Sequence, residues 1–281
     1  MAEITNAIIM DLRARTNAGM MDCKRALAET NGDMEAAIKI LRLKGLAIQV
    51  KRADKEANQG IVQAAASADG SVKALVEVNS ETDFVAKTDG FKAFVDAVAA
   101  RVLAGDENVA GSLKDELVAI VSTTGENIRI RRTARFARTG NAVIESYIHM
   151  GGKVGVLVEL TCGKAASAAD PAVAGLAHDI ALQIAAAAPR WLDQTQVPSE
   201  IVESEKALYR QDPKLAGKPD KIVENALIGK LRKFYGDVCL VNQVFVKDDK
   251  QTVTQVVEAT AKAVGDKIAI CRFARFQLGA A

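Results

Sequence analysis

The sequence predicts an α+β fold: an N-terminal three-helix module, two related α+β core subdomains and an inserted antiparallel helical hairpin. Three observations carry this reading. Apolar residues recur at helical spacing up to about residue 55, the period changes to two from residue 59, and one strand-forming segment returns at an offset of 140. At 281 residues the chain is long enough for two or three cores. Apolar residues make up 49% and charged residues 26%, the balance of an ordinary globular protein. With 37 basic and 35 acidic side chains the net charge is +2, which argues against a dedicated polyanion binder.

The first 55 or so residues read as a helical unit. Ile4, Ile8 and Leu12 share one stripe of a first helix, and residues 13–19 read as a turn. Cys23, Ala26 and Leu27 line a second helix, which Asn31-Gly32 ends. Asp33 can cap a third helix with Met34, Ala37, Ile38 and Leu41 on its inner face, and Gly45 reads as its stop. The charged stretch 50–58 reads as a linker, partly helical. So thin a core suits docking better than catalysis, so residues 1–55 are expected to be a docking module.

Residues 56–140 form the first core subdomain. Strands are expected over 61–66 and 72–78, joined by Ala68-Asp69-Gly70-Ser71. A helix follows with Phe91, Phe94, Val95, Val98 and Val102 on one face. Ser112 and Asp115 match a capping box opening a further helix with Leu113, Leu117, Ile120 and Val121, and a strand covers 128–136. Residues 141–188 and 236–281 repeat this plan, with strands over 142–149 and 153–160 around Gly151-Gly152. Asp170-Pro171 opens an Ala-rich helix; a helix over 253–263 and a strand over 268–276 close the chain.

The duplication is legible letter by letter. Residues 125–136 align with 265–276, and eight of twelve positions are identical or similar. Likewise Ala74-Leu75-Val76-Glu77-Val78 echoes Val156-Leu157-Val158-Glu159-Leu160. Residues 189–235 interrupt the second copy. There Ile201 and Leu208, Val202 and Tyr209, and then Val223, Leu227, Leu231 and Phe234, mark two helices with narrow apolar seams. Such a hairpin either associates with a second copy to give a homodimer or lies on its own core; the sequence leaves both open.

One segment stands out. After the polar strand exit Asn79-Ser80-Glu81 the chain runs Thr82-Asp83-Phe84-Val85-Ala86-Lys87, with a Phe beside a carboxylate. Either Thr82 or Asp83 caps a helix and Phe84 folds onto the core, or Asp83 and Phe84 form a probe that enters another molecule. The corresponding place in the second copy holds Gly163-Lys164-Ala165, so the feature belongs to one copy only.

Catalytic chemistry finds little support. Gly151-Gly152-Lys153-Val154-Gly155 opens no helix and lacks P-loop spacing. His178-Asp179 resembles a phosphohydrolase dipeptide, but His149 is the only other histidine, too few for a metal centre. Neither a nucleophile–histidine set nor a cofactor motif has local support, so no enzyme activity, cofactor or metal is expected. Cys23, Cys162, Cys239 and Cys271 are scattered and read as reduced core residues of a cytosolic protein. No apolar run approaches the ~18 residues that span a bilayer. The N-terminus, with Glu3 and Asp11, has no signal or transit pattern, so a cytoplasmic location and no membrane contact are expected. The rival signal is Arg129, Arg131, Arg132, Arg135 and Arg138, enough to meet several phosphates. Because Ile128 and Ile130 alternate with them, an ordinary charged sheet face is favoured and no direct nucleic-acid contact is expected.

Two runs carry a resemblance. They are Leu12-Arg13-Ala14-Arg15-Thr16-Asn17-Ala18-Gly19-Met20-Met21-Asp22-Cys23-Lys24-Arg25-Ala26-Leu27 and Glu77-Val78-Asn79-Ser80-Glu81-Thr82-Asp83-Phe84-Val85-Ala86-Lys87. With Gly125-Glu126-Asn127-Ile128 and the arginines after it, they make the chain resemble the bacterial elongation factor Ts family over nearly its whole length. The resemblance implies an N-terminal module similar to a ubiquitin-associated domain and a non-enzymatic guanine-nucleotide exchange factor for elongation factor Tu. It implies that Thr82, Asp83, Phe84 and Val85 insert beside the partner's nucleotide site and dislodge Mg²⁺, and that the module docks through Arg13, Met20 and Met21. Asn17 stands where the family often has Gly and is expected to tolerate a left-handed turn. The chain ends soon after Phe276, so the further C-terminal contact of longer members is not expected.

Overall fold

Helical spacing of apolar residues gives the N-terminal segment three helices, α1 (Asn6–Thr16), α2 (Met20–Glu29) and α3 (Met34–Arg52). The computed structural model describes residues 4–16, 18–215 and 217–280, and the reading of Asn17 lies outside the described residues. Ile9, Leu12, Cys23, Ala26, Leu27, Ala37 and Leu41 close one small core, with Met34 and Ile38 packed against it. Asp33 caps α3, accepting from the Ala36 amide at 3.0 Å. Arg13 lies on α1, not in a turn: the helix runs to Thr16, whose hydroxyl donates to the Leu12 carbonyl at 2.7 Å.

Period-two segments then give β1 (Gln59–Ala66) and β2 (Val72–Ser80), paired antiparallel with Gln59 opposite Ser80. A one-turn helix α4 (Asp83–Ala86) leads into α5 (Asp89–Leu103), then α6 (Val109–Ser112), α7 (Lys114–Thr124) and β3 (Arg129–Ala137). The sheet order is β1-β2-β3. Phe91, Phe94, Val95, Val98 and Val102 of α5 meet Val76, Val78, Ile120, Val121 and Ile128 in one core.

Two helix boundaries differ from the sequence pattern. Ser112 does not cap α7; it ends α6, which Asn108 caps, and its hydroxyl is engaged by Asp106. Nor does Gly45 stop α3, which continues to Arg52. A Cβ at Gly45 would lie 2.7 Å from Val118 Cγ1 and 2.8 Å from the Val118 carbonyl oxygen, so the glycine allows α3 and α7 to approach closely.

The second half runs β4 (Ala142–His149), β5 (Val154–Cys162), α8 (Ala165–Ala168) and α9 (Pro171–Ala187). After the inserted helices α10 (Ser199–Arg210) and α11 (Asp220–Val238) come β6 (Val244–Phe245), β7 (Asp248–Thr252), α12 (Val253–Val264) and β8 (Ile268–Gln277). The second sheet has the order β4-β5-β8, matching the first, and α8 stands where α4 does. Both α7 and α12 end on a left-handed glycine, Gly125 (φ 70°) and Gly265 (φ 65°), before the last strand of each copy.

By contact density the chain forms two compact units. One comprises Met1–Arg135, Ile148–Gly155 and Phe276–Ala281; the other comprises Phe136–Tyr147 and Val156–Arg275. In the second, Val156, Val158 and Leu160 pack with Leu176, Ile180, Ile184, Val253 and Val257. Helices α10 and α11 pack on each other, burying Leu227 and Phe234, while Leu208, Ile222 and Ile228 stay exposed. The small β6–β7 ribbon has no period-two signal in the sequence. Buried Gln183 holds it, donating to the Val244 carbonyl at 3.1 Å and accepting from the Val246 amide at 2.8 Å.

The same ion pair recurs in both copies, each with a buried carboxylate. Glu77 accepts from Arg132 Nε at 2.7 Å and Glu159 from Arg272 Nε at 2.5 Å. Arg132 lies 4.7 Å from the Phe276 ring centroid, and Arg272 lies 4.2 Å from that of Phe136.

Candidate protein-binding site

Thr82 to Val85 fold as a capped turn with the aromatic outward. Thr82 is the N-cap of α4, its hydroxyl oxygen accepting from the Val85 amide at 3.4 Å. At the other end, the Lys87 amide donates to the Phe84 carbonyl at 3.2 Å, and the Thr88 hydroxyl donates to the Val85 carbonyl at 2.8 Å. Ala86 is buried and Val85 packs on the same core as α5. Phe84, between these anchors, is 77% exposed. Capping and projection therefore coexist: Thr82 caps, and Phe84 does not fold back.

The neighbouring charges are local. Lys87 Nζ donates to Asp83 Oδ2 at 2.5 Å and sits 5.7 Å from the Phe84 centroid. That hydrogen bond, followed by the charges of Lys87 and Lys153, holds the Asp83 carboxyl below its ordinary value, so Asp83 is an anion at neutral pH. In the second copy α8 carries Ala165 and Ala166 where α4 carries Asp83 and Phe84. The turn is duplicated; the exposed ring is not.

Below α4 lies a polar base that sequence reasoning missed. Glu126 accepts from the Thr82 amide at 3.0 Å and from the Thr82 hydroxyl at 2.6 Å. Glu81 accepts from the Asn127 amide at 2.7 Å and pairs with Arg52 at 3.3 Å. Arg52 also donates to the Gly125 carbonyl at 2.9 Å, and Asn127 donates to the Lys55 carbonyl at 2.7 Å. The one sequence signal for it is the Glu-Asn pair after Gly125, which belongs to the repeat.

The other named residues lie on the N-terminal helices. Met20 and Met21 are exposed on the first turn of α2, and Arg13 is exposed on α1. Arg13 borders an open cleft of about 900 Å³ shared with Arg15, Arg42 and Lys114. Among the described residues no hydrogen bond or ion pair joins α4 to α1 or α2.

The arginine strand is largely engaged within the fold. Arg129 donates to the Ala53 carbonyl, Arg131 to that of Ala280, Arg132 to Glu77 and Gln277, and Arg135 to the Leu103 carbonyl. Guanidiniums held this way present fewer free donors to a phosphate. His178 is exposed on α9, 3.5 Å from Glu145. Among the described residues no group of three or more His, Cys, Asp or Glu could hold a metal, and no helix is long and apolar enough to cross a membrane. Burial pushes the Cys239 thiol up to about 11 and raises those of Cys23 and Cys162. Cys271, read as a core residue, is instead exposed, because it points outward on β8.

The sequence profile described as Elongation factor TS matches residues 81–280. Elongation factor Ts of Trichlorobacter lovleyi is 47% identical, over 98% of this chain and 93% of its own length. The protein of that name from Desulfovibrio desulfuricans is 42% identical over the full length of both chains. That from Clostridium botulinum Eklund 17B is 41% identical over 96% of this chain and 91% of its own.

Proposed function

The chain belongs to the elongation factor Ts family, and on that premise we propose that it is the guanine-nucleotide exchange factor of elongation factor Tu, working in the cytoplasm. In this reading it performs no covalent chemistry. It binds the GDP form of the GTPase, places Phe84 and Asp83 beside the nucleotide site, disturbs the Mg²⁺ there and lets GDP leave so that GTP can bind.

The observation that carries the reading is the exposed Phe84 ring on a turn capped at both ends. Such a ring loses little freedom on insertion, and burying it contributes about 1.5–3 kcal/mol. The partner's Mg²⁺ bridges phosphate oxygens and holds a switch segment, so shifting its ligands weakens diphosphate binding. Asp83, already ionised, redirects hydrogen bonds in the partner. Coupling is reciprocal: the factor by which this protein weakens GDP is the factor by which GDP weakens this protein. Arg13, Met20 and Met21, all exposed within residues 1–55, supply the docking contact of this reading. The exposed Leu208, Ile222 and Ile228 support self-association through the 189–235 hairpin as its assembly counterpart.

The test is release of a fluorescent GDP analogue from elongation factor Tu. Catalytic amounts of this protein should accelerate release, and the effect should shrink when free Mg²⁺ is raised. No acceleration at any concentration would remove the proposal.

A further inference from the structure

We infer that Glu126 is a positioning residue for the Phe84 turn, acting through the Thr82 hydroxyl. The inference rests on the exchange reading above and deepens it.

A hydroxyl has one hydrogen and two lone pairs. Thr82 Oγ1 gives its hydrogen to Glu126 Oε1 at 2.6 Å, which leaves a lone pair for the Val85 amide at 3.4 Å. The other oxygen, Oε2, takes the Thr82 amide at 3.0 Å. One carboxylate thus sets both the hydroxyl rotor and the backbone at the residue from which α4 starts. Glu81 crosses it in the opposite sense, holding the Asn127 amide at 2.7 Å. The two loops are cross-linked by a pair of charged acceptors, the stronger class of hydrogen bond.

The second copy separates what the fold needs from what the first copy adds. There Asp266 stands for Glu126 and also holds a backbone amide, that of Lys164, at 2.8 Å. The backbone half of the clamp is therefore general. But Lys164 replaces the Thr82 hydroxyl, Gly163 replaces Glu81, and Ala166 replaces Phe84. In the second copy the carboxylate takes a hydroxyl from within α8, that of Ser167, so a hydroxyl bond at the residue that starts the turn and a crossed carboxylate belong to the copy that carries the ring.

The test uses the full chain, elongation factor Tu and a fluorescent GDP analogue. Glu126→Gln keeps the volume, but its single carbonyl oxygen can serve only one of the two Thr82 groups. With that oxygen on the amide, its NH₂ donates to Oγ1, turns the hydroxyl hydrogen away and removes the charged acceptor that fixed it. Thr82→Val keeps the shape and removes the hydroxyl. Each should lower the release rate at saturating factor by about tenfold, with the half-saturating concentration changed by less than about twofold. In a Phe84→Ala background neither change should slow release further, since both act through the ring. Asp266→Asn, the same lesion in the copy without a ring, should leave exchange at the unsubstituted rate. The inference is overturned if Glu126→Gln and Thr82→Val exchange normally while Phe84→Ala is slow. It is also overturned if Asp266→Asn slows exchange as much as Glu126→Gln, which would make the effect one of general stability. Normal exchange by Phe84→Ala would instead overturn the wedge reading, and this inference with it.

Discussion

Glu77→Gln should destabilise the first compact unit by about 3 kcal/mol, at the low end of the ~3–5 kcal/mol for breaking a buried ion pair. Glu77 is fully buried, and three donors converge on its two oxygens. Oε1 takes Asn79 Nδ2 at 3.1 Å and the Gly279 amide at 2.9 Å, while Oε2 takes Arg132 Nε at 2.7 Å. A glutamine has one carbonyl oxygen, so in either orientation its NH₂ meets a donor. The low end applies because the amide fills the same volume, and Arg132 keeps the Gln277 carbonyl at 2.9 Å and the Phe276 ring. For a unit of this size the loss corresponds to roughly 6–12 °C in the unfolding midpoint. Circular dichroism follows the melt, and hydrogen exchange at the Gly279 amide reports the lost contact directly. A midpoint within about 2 °C of the unsubstituted protein, with Gly279 protection unchanged, would refute the argument that this carboxylate ties the segment after β8 to β2.

Three further outcomes are expected. Gly45→Ala gains about 1 kcal/mol of helix propensity but drives a Cβ against the Val118 carbonyl, so it should destabilise on balance; chemical denaturation at equal or higher midpoint would contradict close α3–α7 packing. The Asp83 carboxyl should titrate below 3.8 by NMR and move back up in Lys87→Ala. Because its folded pKa is depressed, its contribution is present above the unfolded value and lost as pH falls through the folded one; an unchanged midpoint in Lys87→Ala would refute the pairing. Finally, an aromatic disulfide reagent at pH 8 should label Cys271 at once and reach Cys23 and Cys239 only in denaturant, with equal rates contradicting their burial.

Much of this was legible in the sequence because period and repeat are local signals. The α5 face through Phe91 and Val98, the Asp33 and Asp170 caps, and the 125–136/265–276 echo all reappear in the fold. What the sequence hid depends on partners distant along the chain. Gly45 looks like a stop until Val118 is seen against it, and Ser112 looks like a cap until Asp106 claims its hydroxyl. Gln183 holds β6–β7 from 61 residues away. At the candidate site, Thr82 as a cap and Phe84 as an exposed ring were each readable, but as rival readings. Their coexistence needs the base formed by Glu126, and no spacing rule reaches across the 44 residues between it and Thr82.

The exposed ring is where the account stands or falls. Phe84→Ala should leave the fold and partner binding intact while cutting the maximal rate of GDP release from elongation factor Tu by roughly one to two orders of magnitude, the kinetic equivalent of about 1.5–3 kcal/mol of lost ring burial. Release at the unsubstituted rate from a folded, bound Phe84→Ala protein would show that the ring is not the wedge.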